Sequence, residues 1–169
     1  DGIRDYKVTG VQTCALPISP TYIVDYIVEH AVGKLVEGKT PRQVSNLKIV
    51  DPACGSGSFL LGAYRFLLGW HLKYYTENDL EKHKKVLFQG QAGDWRLNTT
   101  ERKRILLNNI YGVDIDSQAV EVTKLSLLLK VLEGETDQSL QGQFRGMKER
   151  ALPNLSNNIK CGNSLIGSD

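Results

Sequence analysis

The 169 residues include 41% hydrophobic and 24% charged side chains, proportions that are ordinary for one globular domain with a full core. The formal net charge of +2 does not indicate a strongly basic face. If the protein binds nucleic acid, most of the contacts are expected to lie outside this chain. No apolar run reaches membrane-spanning length and no secretory leader opens the chain, which predicts a cytoplasmic protein without a membrane segment.

Hydrophobic periodicity predicts helices that alternate with short strands. The predicted elements are, in chain order, a helix over 21–38, a strand over 47–50, a helix over 58–75, a helix over 100–108, a strand over 110–115, a helix over 117–133 and a strand over 159–161. Residues 76–98 are predicted to form a surface loop or insertion with a short helix, and residues 134–157 a loop. This order predicts an α/β fold with a parallel sheet and flanking helices.

Several side chains carry predictions of their own. Thr99 or Thr100 is expected to cap the helix that follows it, and Ser117 to cap the leucine-rich helix over 117–133, whose apolar stripe is expected in the core. The three histidines lack metal-ligand spacing and are expected at the surface or the edge of the core. The three isolated cysteines predict neither a disulfide framework nor a zinc site, and they are Cys14, Cys54 and Cys161.

The first predicted strand runs into the glycine-rich sequence DPACGSGS. A turn of this kind before a helix presents backbone N–H groups to an anion. A nucleotide-hydrolase loop needs Lys followed by Ser or Thr after its second glycine, and this pair is absent here. A dinucleotide fingerprint needs a third glycine where Leu60 stands. The remaining candidate is S-adenosylmethionine, with amides of Gly55 to Gly57 for its carboxylate and Asp51 for its ammonium group.

The second predicted strand ends in the sequence YGVDID. Asp114 at its tip is typical of an acid that accepts hydrogen bonds from a ribose diol, and Ile115 could lie against an adenine ring. A glycine turn alone is most often a tight connection, and Asp114 alone could be a helix cap. Together, at adjacent strand ends, the two motifs predict a site for adenosine joined to an amino acid.

Four segments carry a resemblance to a known family: PTYIVDYIV, KIVDPACGSGSFLLGAY, NNIYGVDID and IKCGNSLIG. From about Pro20 to Asp169 the chain resembles the γ-type DNA adenine-N6 methyltransferases, particularly the type IIG-like restriction–modification enzymes that join methylase and nuclease in one polypeptide. The resemblance implies a partial Rossmann-like class I methyltransferase fold over 20–169. It also implies S-adenosyl-L-methionine as cofactor, double-stranded DNA as the partner of the full-length enzyme, a monomer, and no metal in this segment.

The resemblance also implies which residues bind the cofactor. Pro20 is expected near the methionine end, where the family carries Tyr-Thr-Pro and this chain has Ser19 in place of Thr. The other expected contacts are the methionine-binding loop (Asp51, Pro52, Ala53, Cys54, Gly55 and Gly57), the ribose-binding acid Asp114, Ile115 beneath the adenine, Asn163 at the adenine amino group, and Ser164 beside it.

The family's catalytic motif, Asn-Pro-Pro-Tyr or a close variant, is absent from these 169 residues. In the family it follows the GNSL segment and receives the target adenine after the base is flipped from the duplex. No catalytic residue is therefore assigned here, and the chain alone is expected to be inactive and to bind cofactor weakly or not at all. Two alternatives stay open: a binding-only S-adenosylmethionine module, and an RNA or protein methyltransferase of related fold.

Residues 1–19 do not resemble the family's lead-in. VTGVQTCALPIS, at 8–19, is similar to the translation of a short-read sequencing adapter, and DGIRD, at 1–5, to the start of the same indexed primer with Tyr6-Lys7 as the index. The segment is therefore interpreted as non-native and excluded from fold reasoning. The alternative is a genuine N-terminal arm.

Overall fold

The computed structural model describes residues 20–78, 80–90, 92–133 and 152–166. The predictions for residues 1–19 and for most of the loop over 134–157 lie outside the described residues. The elements are α1 (Thr21–Val28), a π-helical turn (Glu29–Gly33), α2 (Lys34–Val36), α3 (Pro41–Val44), β1 (Ile49–Asp51), α4 (Ser58–Glu77), α5 (Leu80–His83), β2 (Leu87–Gln89), β3 (Trp95–Leu97), α6 (Thr99–Asn109), β4 (Ile110–Asp114), α7 (Ser117–Leu132) and β5 (Ile159–Cys161).

A parallel sheet of three strands forms the centre of the described structure, in the order β1-β4-β5. In β1, Ile49 pairs with Ile110 of β4, and on the other side Gly112 of β4 pairs with Ile159 of β5. The predicted α/β class with a parallel sheet and flanking helices is therefore confirmed. Because the strands are parallel, their carboxyl ends share one edge of the sheet, and the loops after β1, β4 and β5 meet there.

Helices cover one face of this sheet. Ile110 and Ile159 are buried on that face, where α4 and α7 pack. This is the arrangement that two right-handed crossovers in the same direction produce. On the opposite face Val50 is 58% exposed, and a groove of about 390 Å³ runs along the sheet past Tyr111 and Lys160. Among the described residues, no helix is long and apolar enough to cross a membrane.

The predicted first helix is present but irregular. Helices α1 and α2 are joined without a break by the π-helical turn. The buried residues of this segment recur every four positions and are Val24, Val28, Val32 and Val36. They pack on α4 so closely that a Cβ atom at Gly62 would lie 2.5 Å from Cγ1 of Val24. The helix ends before Gly38, which has a φ of 66°, in agreement with the predicted stop.

The two long helices differ in how well their apolar stripes predict burial. In α4 the apolar stripe indicates an inner face, and its residues are either buried (Leu60, Ala63 and Leu67) or partly buried against the core (Phe59, Phe66 and Trp70). In α7 the prediction that the leucine-rich stripe is core is wrong in part, because Leu125 is 58% and Leu129 60% exposed. The α7 residues buried against the sheet and α4 instead follow a narrower stripe and are Ala119, Val120, Thr123, Leu127 and Val131.

Residues 76–98 contain more regular structure than predicted. The short helix α5 is present, but the segment also forms an antiparallel hairpin in which Leu87 pairs with Leu97. The cap of α6 also differs from the prediction. The side chain of Asn98, not Thr99 or Thr100, accepts a hydrogen bond of 2.9 Å from the Glu101 N–H. Asn is a stronger helix cap than Thr, which accounts for the shift of one residue.

A buried polar cluster joins α4 to α6. The Tyr75 hydroxyl donates to Glu101 at 2.7 Å, and Arg104 donates two hydrogen bonds to the same carboxylate at 2.7 and 2.6 Å. Burial opposes ionisation of Glu101, yet the hydrogen bonds from Arg104 and Tyr75 leave its pKa below the usual value. The cluster therefore contains an ionised carboxylate inside the fold, held by its own donors.

His71 lies beside this cluster and corrects a prediction. Its side chain is fully buried, not at the surface or core edge, and Nδ1 hydrogen-bonds the Leu67 carbonyl at 2.8 Å. Nε2 is buried and has no hydrogen-bond partner among the described residues. Burial lowers the pKa of His71, so the ring is neutral with its proton on Nδ1.

Candidate functional site

The loop after β1 is a tight turn built on two glycines. The Cys54 N–H donates to the Val113 carbonyl of β4 at 2.9 Å, and the Gly57 N–H donates to the Cys54 carbonyl at 2.8 Å. Gly55 and Gly57 have φ values of 51° and 80°. Residues other than glycine rarely adopt this left-handed region of the backbone. The turn leads directly into α4, and within the part of the chain that the structure describes no side chain caps the start of this helix. The N–H groups at this helix end are therefore available to an anion.

Asp51 lies at the start of this loop, in the last position of β1. Its Oδ1 accepts a hydrogen bond of 3.1 Å from the Ala53 N–H, which leaves Oδ2 for a cationic group. An apolar groove of about 290 Å³ adjoins Asp51 and Pro52 and extends between the π-helical turn and α4. Pro52 and Ala53 are both exposed.

Cys54 is, with Gly57, one of the two buried residues of the loop. Burial raises the pKa of its thiol, and the Asp51 and Asp114 carboxylates raise it further. The thiol is therefore neutral and unsuited to act as a nucleophile. Its backbone N–H, through the bond to β4, is the part of Cys54 that shapes the loop.

Asp114 at the end of β4 lies against the glycine turn. Its Oδ2 accepts a hydrogen bond of 2.7 Å from the Gly55 N–H, and its Oδ1 accepts one of 2.9 Å from the Asp116 N–H. The two motifs singled out from the sequence are thus in direct contact at one edge of the sheet. A carboxylate has about four acceptor positions, so Asp114 can still accept from two further donors.

The residues after Asp114 turn the chain into α7. Ile115 is 76% exposed at the rim of the site, where an apolar ligand face could cover it. The Asp116 side chain accepts a hydrogen bond of 2.8 Å from the Gln118 N–H and caps α7. The prediction that Ser117 is the cap is therefore off by one residue, since the side chain of Asp reaches the N–H two positions on.

The segment after β5 reaches the same edge. Cys161 pairs with Asp114 in the sheet, and the Gly162 N–H donates to the Asp114 carbonyl at 2.9 Å. Asn163 and Ser164 follow and are exposed. The Asn163 Oδ1 accepts a hydrogen bond of 2.9 Å from the Leu165 N–H, which fixes a turn just beyond the strand. Asn163 and Ser164 therefore lie in the turn that directly follows β5, the strand that pairs with Asp114.

Pro20 is the predicted site residue that the structure does not join to the others. Its carbonyl accepts hydrogen bonds from the Ile23 and Val24 N–H groups at 3.0 and 3.2 Å, which starts α1. Among the described residues, these hydrogen bonds stay within α1 and do not connect Pro20 to the glycine turn.

One residue of the site is not singled out by the sequence. Thr123 of α7 is fully buried, and its Oγ1 donates to the Gly55 carbonyl at 2.8 Å. The only hint in the sequence is a hydroxyl group in line with the apolar residues of α7. Across the described residues, no group of three or more His, Cys, Asp or Glu side chains could hold a metal ion.

A family model described as "MmeI, DNA-methyltransferase domain" matches residues 33–167. The chain belongs to this family. The family match lies inside the range 20–169 that resembles adenine methyltransferases of restriction–modification systems, so that resemblance is confirmed at the level of the family. The assignment of individual residues to the cofactor, and the boundary at residue 20, stay predictions.

Curated relatives agree with membership of the MmeI-type DNA-methyltransferase domain family. Over 150 residues, 89% of the chain, it is 36% identical to the type II restriction enzyme and methyltransferase RM.Eco57I of Escherichia coli. It is 38% identical over 125 residues, 74% of the chain, to a putative type II restriction enzyme and methyltransferase of Methanocaldococcus jannaschii. The chain spans 14% and 9% of the length of these two relatives.

A more distant relative has a related name. The adenine-specific methyltransferase PglX of Streptomyces coelicolor is 26% identical over 132 residues, 78% of the chain and 9% of the relative. The matched part of all three relatives is thus a small piece of a much longer protein.

Proposed function

We propose that this chain forms the S-adenosylmethionine-binding part of a site-specific DNA adenine-N6 methyltransferase of a restriction–modification system. The observation that carries the proposal is the 2.7 Å hydrogen bond between the Gly55 N–H and the Asp114 carboxylate. It brings an anion-binding turn and a diol-binding acid to one sheet edge in a member of a DNA-methyltransferase family. The printed names of the relatives support DNA adenine as the target and a restriction–modification setting.

The turn after β1 is assigned to the amino-acid end of the cofactor. The start of α4 and the Ser56 N–H offer donors to a carboxylate. The Gly55 and Gly57 N–H groups instead donate to Asp114 and to the Cys54 carbonyl and hold the turn in shape. The free oxygen of Asp51 pairs with the ammonium group. Pro52, Ala53 and the Cys54 backbone shape the loop. The resemblance assigns Pro20 to the same end, although its hydrogen bonds remain within α1.

The ends of β4 and β5 are assigned to the nucleoside. Asp114 accepts hydrogen bonds from the two ribose hydroxyls with the acceptor positions that Gly55 and Asp116 leave open. Ile115 covers one face of the adenine, because an exposed aliphatic side chain gains by burial against a ring. Asn163 hydrogen-bonds the adenine amino group, with Ser164 beside it.

When bound, S-adenosylmethionine supplies the methyl group on its sulfonium. The residues of this chain bind and orient the cofactor. Because the 169 residues contain no Asn-Pro-Pro-Tyr sequence, binding of the flipped adenine and of double-stranded DNA is assigned to residues outside this sequence.

Saturation-transfer NMR with S-adenosylhomocysteine tests the proposal, because it detects weak binding. Of the two outcomes expected from the sequence, weak binding or none, the contact between Gly55 and Asp114 in the folded chain favours weak binding. We expect saturation of the adenine and ribose protons by the wild-type chain, and loss of that signal in Asp114→Asn. The matched control is Asp116→Asn, the same chemical change two positions away. Asn caps a helix about as well as Asp, so this variant is expected to keep α7 intact and to bind like the wild type.

Two results would contradict the proposal. One is a folded wild-type chain that gives no saturation transfer at millimolar S-adenosylhomocysteine. The other is equal binding by the Asp114→Asn and Asp116→Asn variants, because the carboxylate of Asp114 would then have no part in the site.

A further inference from the structure

The backbone of Gly55 is held on both sides of its Cα by elements that are distant in sequence. Its N–H donates to Asp114 of β4 at 2.7 Å, and its carbonyl accepts from the Thr123 hydroxyl of α7 at 2.8 Å. The first of these contacts belongs to the cofactor site as proposed. The second comes from the interior of the fold, since Thr123 is fully buried.

Thr123 also limits the space behind the second glycine of the turn. A Cβ atom at Gly57 would lie 2.7 Å from Cγ2 and 2.8 Å from Oγ1 of Thr123. The same side chain therefore fixes the carbonyl of Gly55 by a hydrogen bond and supports the Cα of Gly57 by contact. These two points lie on either side of the Ser56 N–H and directly before the start of α4, the donors proposed for the cofactor carboxylate.

We propose that Thr123 is a positioning residue that sets the glycine turn for the amino-acid end of the cofactor. This inference rests on the proposed function. Because it is buried, Thr123 does not touch the ligand. It acts through the orientation of the peptide unit that joins Gly55 to Ser56, whose carbonyl it bonds. The Asp114 side chain bonds the Gly55 N–H, which belongs to the peptide unit before the one whose carbonyl Thr123 holds, and its other oxygen accepts from the Asp116 N–H. The consequence is selective: loss of the Thr123 hydroxyl weakens binding of the methionine part and leaves binding of the nucleoside part unchanged.

The test compares two probes on three variants. Thr123→Val keeps the shape and removes the hydroxyl, Thr123→Ser keeps the hydroxyl and removes the methyl group, and Thr123→Ala removes both. Binding of S-adenosylhomocysteine and of adenosine is measured by NMR titration on each chain. We expect Thr123→Val to weaken S-adenosylhomocysteine about tenfold, the factor for one hydrogen bond of ordinary net strength. Adenosine affinity is expected to stay at the wild-type level.

The other two variants separate positioning from general destabilisation. Thr123→Ala is expected to show the same selectivity as Thr123→Val, and Thr123→Ser to bind S-adenosylhomocysteine within about twofold of the wild type because the hydrogen bond is retained. Retained adenosine binding shows that each variant is folded. If Thr123 had a purely structural role, its loss would lower the affinities for adenosine and for S-adenosylhomocysteine together.

The outcomes distinguish this inference from the proposed function. If the wild-type chain binds neither probe, the proposed function fails. If the wild type binds both and the hydroxyl-free variants lose both equally or neither, the proposed function stands and the role of Thr123 is overturned. Selective loss of S-adenosylhomocysteine with recovery in Thr123→Ser supports it.

Discussion

Substitution of Gly57 by alanine measures how tightly the turn packs on α7. Gly57 has a φ of 80°, where an alanine costs about 1–2 kcal/mol. Its new Cβ would also lie 2.7 and 2.8 Å from two atoms of Thr123, and such overpacking costs about 1–3 kcal/mol. We therefore expect Gly57→Ala to lower the free energy of unfolding by about 2–5 kcal/mol, a large share of the roughly 5–15 kcal/mol typical of a domain.

Gly55→Ala is the matched control, because it carries the strain without the collision. Gly55 has a φ of 51°, but a Cβ there meets no atom within 4 Å. Its expected cost is about 1–2 kcal/mol from the backbone alone. The difference between the two variants, measured by urea denaturation, isolates the packing against Thr123.

A double-mutant cycle with Thr123→Ala completes this experiment. Truncation of Thr123 removes both close atoms, so Gly57→Ala should cost about 1–3 kcal/mol less in the Thr123→Ala background than in the wild type. Equal destabilisation by Gly57→Ala and Gly55→Ala would show that Gly57 does not pack tightly on Thr123. A cycle without coupling between positions 57 and 123 would show the same.

Two further predictions concern buried polar groups away from the turn. Asn109 donates to the Val44 and Leu47 carbonyls at 2.7 Å each, so Asn109→Leu should cost roughly 2–4 kcal/mol in urea denaturation, and a loss below about 1 kcal/mol would show that these carbonyls find other donors. Because burial lowers the pKa of His71, the unfolded chain binds the extra proton first, and stability should fall below about pH 6.5 by up to about 1.4 kcal/mol per pH unit. His71→Thr or His71→Gln should remove the contribution of His71 to the pH dependence of stability between pH 7 and 5. An unchanged dependence would contradict the conclusion that His71 is neutral in the folded chain.

The elements that the sequence predicts well are those with a strong local signal. The strand at 110–115 and the helix from Ser58 agree with the structure within one or two residues, because long apolar periods and a glycine turn specify them locally. The hairpin between Leu87 and Leu97 was not predicted, since strands of three residues are too short to show alternation. The exposure of Leu125 and Leu129 was also missed, because periodicity gives the direction of a stripe but not its width.

The residues of the candidate site also divide into those that the sequence predicts and those that it does not. Asp51, Gly55 and Asp114 follow from the sequence, because parallel strands place their carboxyl ends at one edge. Thr123 could not be found in this way. Its contact with Gly55 spans 68 positions and depends on how α7 packs, which local patterns do not encode.

The long separation between the partners of Gly55 has a consequence during protein synthesis. Asp114 and Thr123 follow Gly55 by 59 and 68 positions, and a ribosome that adds about 5–20 residues per second needs roughly 3–14 s to make Thr123 after Gly55. Until Asp114 is made the nascent glycine segment has neither of its anchors, and until Thr123 is made, nine positions later, it lacks the second. Proteases and chaperones thus meet this segment in its unanchored form on the nascent chain.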